Sequence, residues 1–274
     1  MQKLSIGMFD SGVGGLTVLR EVKRLLPSER IIYFGDTARV PYGNRSAQAV
    51  TKYALECALF LLTKGIKLLV IACNTSSALS LRILQKRFPI PVIGVIDPCA
   101  REVVQSTRNK RVGVIGTKAT IKSGAYVRSI QKIDPRIRVL SKACPLFVPI
   151  AEEGMENDEV AYLVAEKYLR DLRRSHIDTL VMGCTHYPIL EKVIKKVMGP
   201  QVSMVNAGRE TAKEVKSILE TKKMLNGKGR GGCEYYVTDA PESFREIGSR
   251  ILKEPLTSVR SLKNLDYKDY LLSS

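Results

Sequence analysis

Two stretches of this 274-residue chain can be laid on one another, and that repetition limits the available folds more than any other feature. Aligning Cys73 with Cys184 superimposes Ile66-Lys-Leu-Leu-Val on Ile177-Asp-Thr-Leu-Val. In both, a strand-like apolar run ends at a corner crowded with polar side chains. One corner reads Leu69-Val-Ile-Ala-Cys-Asn-Thr-Ser-Ser77, the other Val181-Met-Gly-Cys-Thr-His-Tyr-Pro188. A second match lies upstream of each. Arg111-Val-Gly-Val-Ile-Gly-Thr117 aligns with Ser5-Ile-Gly-Met-Phe-Asp-Ser11, placing Gly113 over Gly7, Thr117 over Ser11 and Gly116 over Asp10.

Between these stretches strand and helix patterns alternate. Helical periodicity is expected over 16–26, 46–63, 76–88, 121–133 and 158–174, and again from Ile189. Apolar strand runs occupy 4–9, 30–35, 67–73, 92–96, 111–116, 137–140, 179–182 and 202–205. Residues 36–45 and 144–154 read as loops. Strands separated by helices imply parallel sheets joined by crossovers. The expected fold class is therefore α/β, with two similar domains, each a mostly parallel sheet flanked by helices. The active site is expected in the cleft between them, because open α/β sheets bind ligands at the carboxyl ends of their strands. The expected domains are 1–97 plus 207–274, and 98–206. Past Asn206 the chain returns to helix, then a Gly-rich loop (226–232), a strand at 235–237 and a helix near 242–252. This tail is expected to pack back on the first domain. The final dozen residues are too weakly patterned to assign.

Composition narrows the class. Apolar residues make up 45% and charged residues 26%, the balance of an ordinary globular protein. The apolar runs are strand-sized, too short to span a bilayer. The N-terminus lacks a signal peptide's apolar core, so a cytoplasmic protein is expected. The six cysteines form no Cys-x-x-Cys pair, which argues against a zinc or thioredoxin-type site. Cys57 and Cys233 sit in apolar patterns and read as buried small hydrophobes. A net charge of +17 would steer anions toward the protein. Its bases are scattered over helices without interleaved aromatics, so nucleic acid is expected only as a secondary, charge-driven contact.

The first turn, Asp10-Ser-Gly-Val-Gly-Gly-Leu16, also excludes a common cofactor. A dinucleotide fingerprint needs a third glycine where this chain has Thr17. Asp10 would repel a phosphate and suits an ammonium or a proton; helix capping by Asp10 or Ser11 is the plainer alternative. The paired thiols are the informative feature. Inverting a carbon stereocentre needs a base on one face of a planar intermediate and an acid on the other. A reversible catalyst needs the same kind of group on both faces. Thiols qualify, because helix N-termini and nearby cations lower their pKa from about 8.5. His186 can assist Cys184, and Asp10 can assist Cys73. The competing reading, two inert thiols at the ends of core strands, leaves their matched positions unexplained.

Asp10-Ser-Gly-Val-Gly-Gly-Leu16, the Pro41-Tyr-Gly-Asn44 turn, Ala72-Cys-Asn-Thr-Ser76 and Gly183-Cys-Thr-His-Tyr-Pro188 together resemble glutamate racemase, of the aspartate/glutamate racemase superfamily. The resemblance runs over about residues 4–255. It implies cofactor-independent interconversion of L- and D-glutamate, supplying D-glutamate for peptidoglycan synthesis, and a homodimer. It implies Cys73 as the base for D-glutamate and Cys184 as the base for L-glutamate. Asp10, Glu152 and His186 would be auxiliary acid/base or orienting groups. Asp10, Ser11, Pro41, Tyr42, Gly43, Asn74, Thr75, Thr117, Thr185 and His186 would bind substrate, and no metal is implied. Two positions depart from the pattern, Asp97 for Glu and Asn206 for Asp, and both bear on hinge and domain contacts. The alternatives are an aspartate racemase of the same superfamily and, from a different class, a basic α/β binding module with nucleic-acid contacts.

Overall fold

The computed structural model describes residues 2–227 and 229–262. The expected alternation is present. In the first half it runs β1 (Ser5–Asp10), α1 (Leu16–Leu25), β2 (Arg30–Gly35), α2 (Ala47–Thr63), β3 (Ile66–Ile71), α3 (Asn74–Arg87), β4 (Val92–Gly94) and α4 (Ile96–Ser106). The second half runs β5 (Arg111–Gly116), α5 (Lys118–Ser123), α6 (Ala125–Ile133), β6 (Arg138–Ala143), α7 (Phe147–Glu152), α8 (Glu159–Arg174), β7 (Thr179–Gly183), α9 (Glu191–Met198) and β8 (Ser203–Asn206). Then come α10 (Ala207–Thr221), β9 (Gly232–Val237), α11 (Pro241–Leu252) and β10 (Val259–Ser261). The final dozen residues, 263–274, lie outside the described residues.

Two all-parallel sheets result, ordered β10-β9-β2-β1-β3-β4 and β6-β5-β7-β8. Without the two added edge strands the first sheet is β2-β1-β3-β4, the same winding as the second. The tail joins the first sheet as expected: β9 pairs with β2 from Arg30–Gly232 to Gly35–Val237. A buried ion pair, Lys67 Nζ to Glu29 Oε2 at 2.6 Å, secures it, and the same ammonium donates to the Met224 carbonyl at 2.8 Å.

The repeat is visible at the level of packing. A Cβ on Gly7 would lie 2.6 Å from the Ile66 side chain, and one on Gly113 would lie 2.5 Å from Ile177. The aligned glycines thus receive the aligned isoleucines, each letting the following strand lie close. The largest core cluster is continuous between the sheets. It joins Ile6, Met8 and Leu68 of the first sheet to Val112, Val114 and Val181 of the second through α1, α4 and α10.

Three local expectations are corrected. The helix expected over 121–133 is two helices, because Gly124 takes φ +64° and breaks it; the Thr117 hydroxyl caps the first piece by accepting from the Thr120 N–H. The loop expected over 144–154 contains α7, whose Phe147 and Ile150 reach the second core. The helix expected from Ile189 starts at Glu191, after a 3-10 turn over Tyr187–Leu190. The two departures keep their contacts. Asp97 accepts from the Ser129 hydroxyl at 2.6 Å. Asn206 caps α10 by accepting from the Gly208 N–H at 2.9 Å, a role Asn fills as well as Asp.

Candidate active site

In a sheet wound 2-1-3-4 the chain leaves in opposite directions from the two central strands, and the crevice opens where they part. Asp10 and Cys73 stand at that point of the first sheet, after β1 and β3. Thr117 and Cys184 stand at the equivalent point of the second, after β5 and β7. The winding therefore delivers both thiols to switch points.

Each sulfur opens a short relay ending in a carboxylate. The Cys73 thiol donates to Ser11 Oγ at 3.8 Å, and Ser11 donates to Asp10 Oδ2 at 3.2 Å. Cys184 Sγ lies 3.8 Å from His186 Nδ1, and His186 Nε2 lies 2.8 Å from Glu152 Oε1. The first relay also reaches the second half, because the Thr185 hydroxyl donates to Asp10 Oδ1 at 3.3 Å. An unbroken chain of contacts thus runs from Cys73 to the residue beside Cys184. Other bonds also cross the cleft. The hydroxyls of Thr75, Thr117 and Thr120 form a triangle with edges of 3.0 to 3.1 Å, and Thr17 donates to the Thr185 carbonyl at 2.8 Å.

The electrostatics of the two sides differ. Cys73 caps α3, and the Ser76 N–H pulls its pKa down, as a helix N-terminus should. Burial outweighs this and, with the Asp10 charge, pushes the thiol up to about 12. The lowering expected of a helix N-terminus is therefore outweighed at Cys73, which rests protonated without substrate. Burial likewise raises the Asp10 carboxyl, against the pull of His186, the Gly12 N–H, Ser11 and Thr185. For His186, burial acts to lower the pKa. The partners Cys184 and Glu152 override it and hold the imidazole at about 10, so it is a cation at neutral pH. That cation lies 3.8 Å from the Cys184 sulfur. The two sulfurs thus face unlike partners, Cys73 a hydroxyl backed by Asp10 and Cys184 an imidazolium.

The loop 36–45 brings the Pro41-Tyr42-Gly43 turn to the cleft and is tightly held. The Tyr42 hydroxyl donates to Asp36, which also accepts from Arg39 Nε at 2.7 Å, and Arg39 bonds Glu56. Arg39 stacks 4.2 Å above the Tyr53 ring. Gly43 lies against Thr117, whose Cβ would be 2.7 Å from an added methyl. Pro41, Gly43, Thr117 and Glu152 line one cavity of about 390 Å³ with Leu146 and Val148. Neither sulfur forms its wall. Cys73 and Cys184 lie deeper, 5% and 6% exposed.

Contacts thus link Asp10, Ser11, Cys73 and Thr185, link Cys184, His186 and Glu152, and link Gly43, Thr75 and Thr117; Pro41, Tyr42 and Asn74 are neighbours of these in the chain. Several supporting residues were not legible in the sequence. Tyr33 donates to the Gly12 carbonyl at 2.8 Å. Arg250 of α11 reaches the carbonyls of Ala151, at 2.9 Å, and Glu152. Tyr126 donates to Asn74 Oδ1 at 2.6 Å. Their partners are far along the chain and in different elements, which no local pattern records.

Gly14 makes the site possible through close approach. A Cβ there would lie 2.5 Å from both His186 Cε1 and Thr185 Oγ1. Gly14→Ala is expected to displace the imidazole and lower kcat/KM by about tenfold to a hundredfold, since misplacement by about 1 Å carries such a cost. Steady-state kinetics checks this, and wild-type activity would show the contact to be unimportant.

Two parallel sheets of identical winding, each with a thiol just past a central strand, describe a two-domain α/β enzyme. The chain belongs to the Asp/Glu/hydantoin racemase family, whose description it matches over residues 6–215. It is 52% identical to the glutamate racemase of Geobacter metallireducens over 93% of this chain and 95% of that one. Among solved structures, glutamate racemase isoform RacE1 from Bacillus anthracis matches with a TM-score of 0.93 and 40% identity, over 96% of this chain and 98% of that one. The Francisella tularensis glutamate racemase in complex with D-glutamate matches with a TM-score of 0.91 and 39% identity, over 97% and 99% of the two chains.

Proposed function

We propose that this chain interconverts L- and D-glutamate by proton transfer between two thiols, Cys73 and Cys184, and so supplies D-glutamate for peptidoglycan synthesis. The carrying observation is the pair of relays, each sulfur leading to a carboxylate, with the Thr185 hydroxyl beside Cys184 bonded to Asp10 of the other. One thiol removes the Cα proton and the other returns a proton to the opposite face. From D-glutamate the base is Cys73; from L-glutamate it is Cys184. His186, oriented by Glu152, and Asp10, linked through Ser11, set the proton state of their neighbouring sulfurs. Ser11, Pro41, Tyr42, Gly43, Asn74, Thr75, Thr117 and Thr185 bind the substrate. Hydroxyl and amide donors strengthen when they meet a carboxylate, and donors fixed in a dry cleft stabilise charge developing on the α-carboxylate.

The proposal extends to domain limits of 1–97 plus 207–274, and 98–206. It also includes a homodimer, a cytoplasmic location, and nucleic acid only as a secondary, charge-driven contact. Leu146, Val160 and Leu163 are large exposed apolar residues of the kind a second copy covers. No helix among the described residues is long and apolar enough to cross a membrane. An aspartate racemase is the nearest rival and would share both thiols. Purified protein given L-glutamate or L-aspartate, without added cofactor, distinguishes them by chiral analysis. D-glutamate is expected to accumulate far faster than D-aspartate, and absence of glutamate turnover would end the proposal.

A further inference from the structure

Tyr126 is buried on α6 of the second half, 2% exposed, yet its hydroxyl reaches into the first half. It donates to Asn74 Oδ1 at 2.6 Å. Its ring edge also packs on the residue before Cys184: a Cβ on Gly183 would be 3.0 Å from Tyr126 Cε2. One side chain thus touches both thiol corners. Asn74, in the first turn of α3, is equally buried at 2%. Its Nδ2 has no hydrogen-bond partner among the described residues. A buried amide nitrogen carries two donors, and leaving both unmet forfeits the hydration they had in water, so the position calls for an acceptor from outside the protein.

Which end of the amide faces that acceptor depends on Tyr126. Asn is twofold ambiguous in shape, and either of its ends could face a hydroxyl. Among the described residues the hydroxyl meets the Asn74 side chain, with the Cys99 thiol of α4 also close by. An amide oxygen is a far better acceptor than sulfur, so the hydroxyl donates to Oδ1. That contact leaves Nδ2 as the free end, next in sequence to Cys73. We propose that Tyr126 is a positioning residue, which locks the Asn74 amide with its N–H donors free for a substrate carboxylate. This deepens the functional proposal and rests on Asn74 lying in the amino-acid site. Without the lock the amide can turn its oxygen toward the carboxylate and repel it.

Tyr126→Phe removes one oxygen and keeps the ring packing. Its KM for both glutamate enantiomers is expected to rise about tenfold or more, the worth of one charge-assisted hydrogen bond, with kcat falling by a smaller factor. The dissociation constant of D-glutamate, measured by calorimetry, should rise in parallel. A purely structural role would instead lower the melting temperature or the active fraction and leave KM and affinity unchanged. Asn74→Ala supplies the second arm. It should weaken binding to a similar degree, and adding Tyr126→Phe to it should cost nothing more, because the group being positioned is gone. Wild-type KM in Tyr126→Phe, or full additivity in the double variant, would overturn the inference alone. Wild-type protein that neither binds nor turns over glutamate would overturn the functional proposal as well.

Discussion

Replacing either thiol by a hydroxyl should abolish racemisation in both directions, with kcat reduced by at least about a thousandfold for Cys73→Ser and for Cys184→Ser alike. General acid–base groups are worth about 10²–10⁴-fold, and a serine hydroxyl is a much weaker acid than a thiol. Both variants fail in both directions because every turnover uses both sulfurs, one taking a proton and one giving it. An overall rate therefore cannot reveal which sulfur faces which enantiomer, but a half-reaction can. In a β-chloroglutamate the base takes the Cα proton, the C–H electron pair forms the Cα–Cβ double bond, and chloride departs with the Cβ–Cl pair. No second acid is required. Cys73→Ser keeps Cys184 and should still eliminate chloride from the L analogue; Cys184→Ser should still do so from the D analogue. Chloride release measured on each enantiomer settles the assignment. Equal residual racemisation in the two variants, or elimination from both enantiomers by each, would remove the two-base mechanism.

The legibility of this split followed from repetition. Chemistry at the strand ends appears as short contiguous motifs, so Asp10-Ser11, Cys73-Asn74-Thr75 and Cys184-Thr185-His186 could be read directly, and the matched strands gave the two sheets. Where expectation failed, the deciding interaction lay outside the local sequence. The 144–154 segment is rich in proline and reads as loop, yet α7 forms there because Phe147 packs at right angles against Tyr168 and Tyr187. At Cys73 the helix N-terminus is visible in sequence, but the burial that outweighs it is not. Glu152 was named only by resemblance; its partnership with His186 requires two elements 34 residues apart to meet. Tyr126 and Arg250 belong to the same category, since each acts on the opposite half of the molecule.

The asymmetry between the relays makes the His186 side the one that pH should expose. His186 is buried and should on that ground be neutral, but Cys184 and Glu152 hold it protonated to about 10. Its ring lies 3.8 Å from the Cys184 sulfur as the neighbouring acid/base group, so His186→Asn should lower kcat about a hundredfold to a thousandfold. The loss should fall on chloride elimination from the L analogue and spare the D analogue, whose base sits beside Asp10 and Ser11. Glu152→Gln tests the cause of the shift. It keeps the shape and removes the negative charge 2.8 Å from Nε2, so the imidazole pKa must drop. Activity that depends on the cation falls as pH rises through that pKa, so the alkaline limb of the kcat profile for L-glutamate should move to lower pH in Glu152→Gln. Stability carries the same sign. The folded pKa lies above the ordinary value of 6.5, so the stabilisation is complete below pH 6.5 and is lost as pH rises toward about 10. The wild-type melting temperature should therefore decline across that window, and the Glu152→Gln decline should be smaller and end at lower pH. An alkaline limb unmoved in Glu152→Gln would show that the carboxylate does not hold the proton on His186, leaving Cys184 to be activated by some other group.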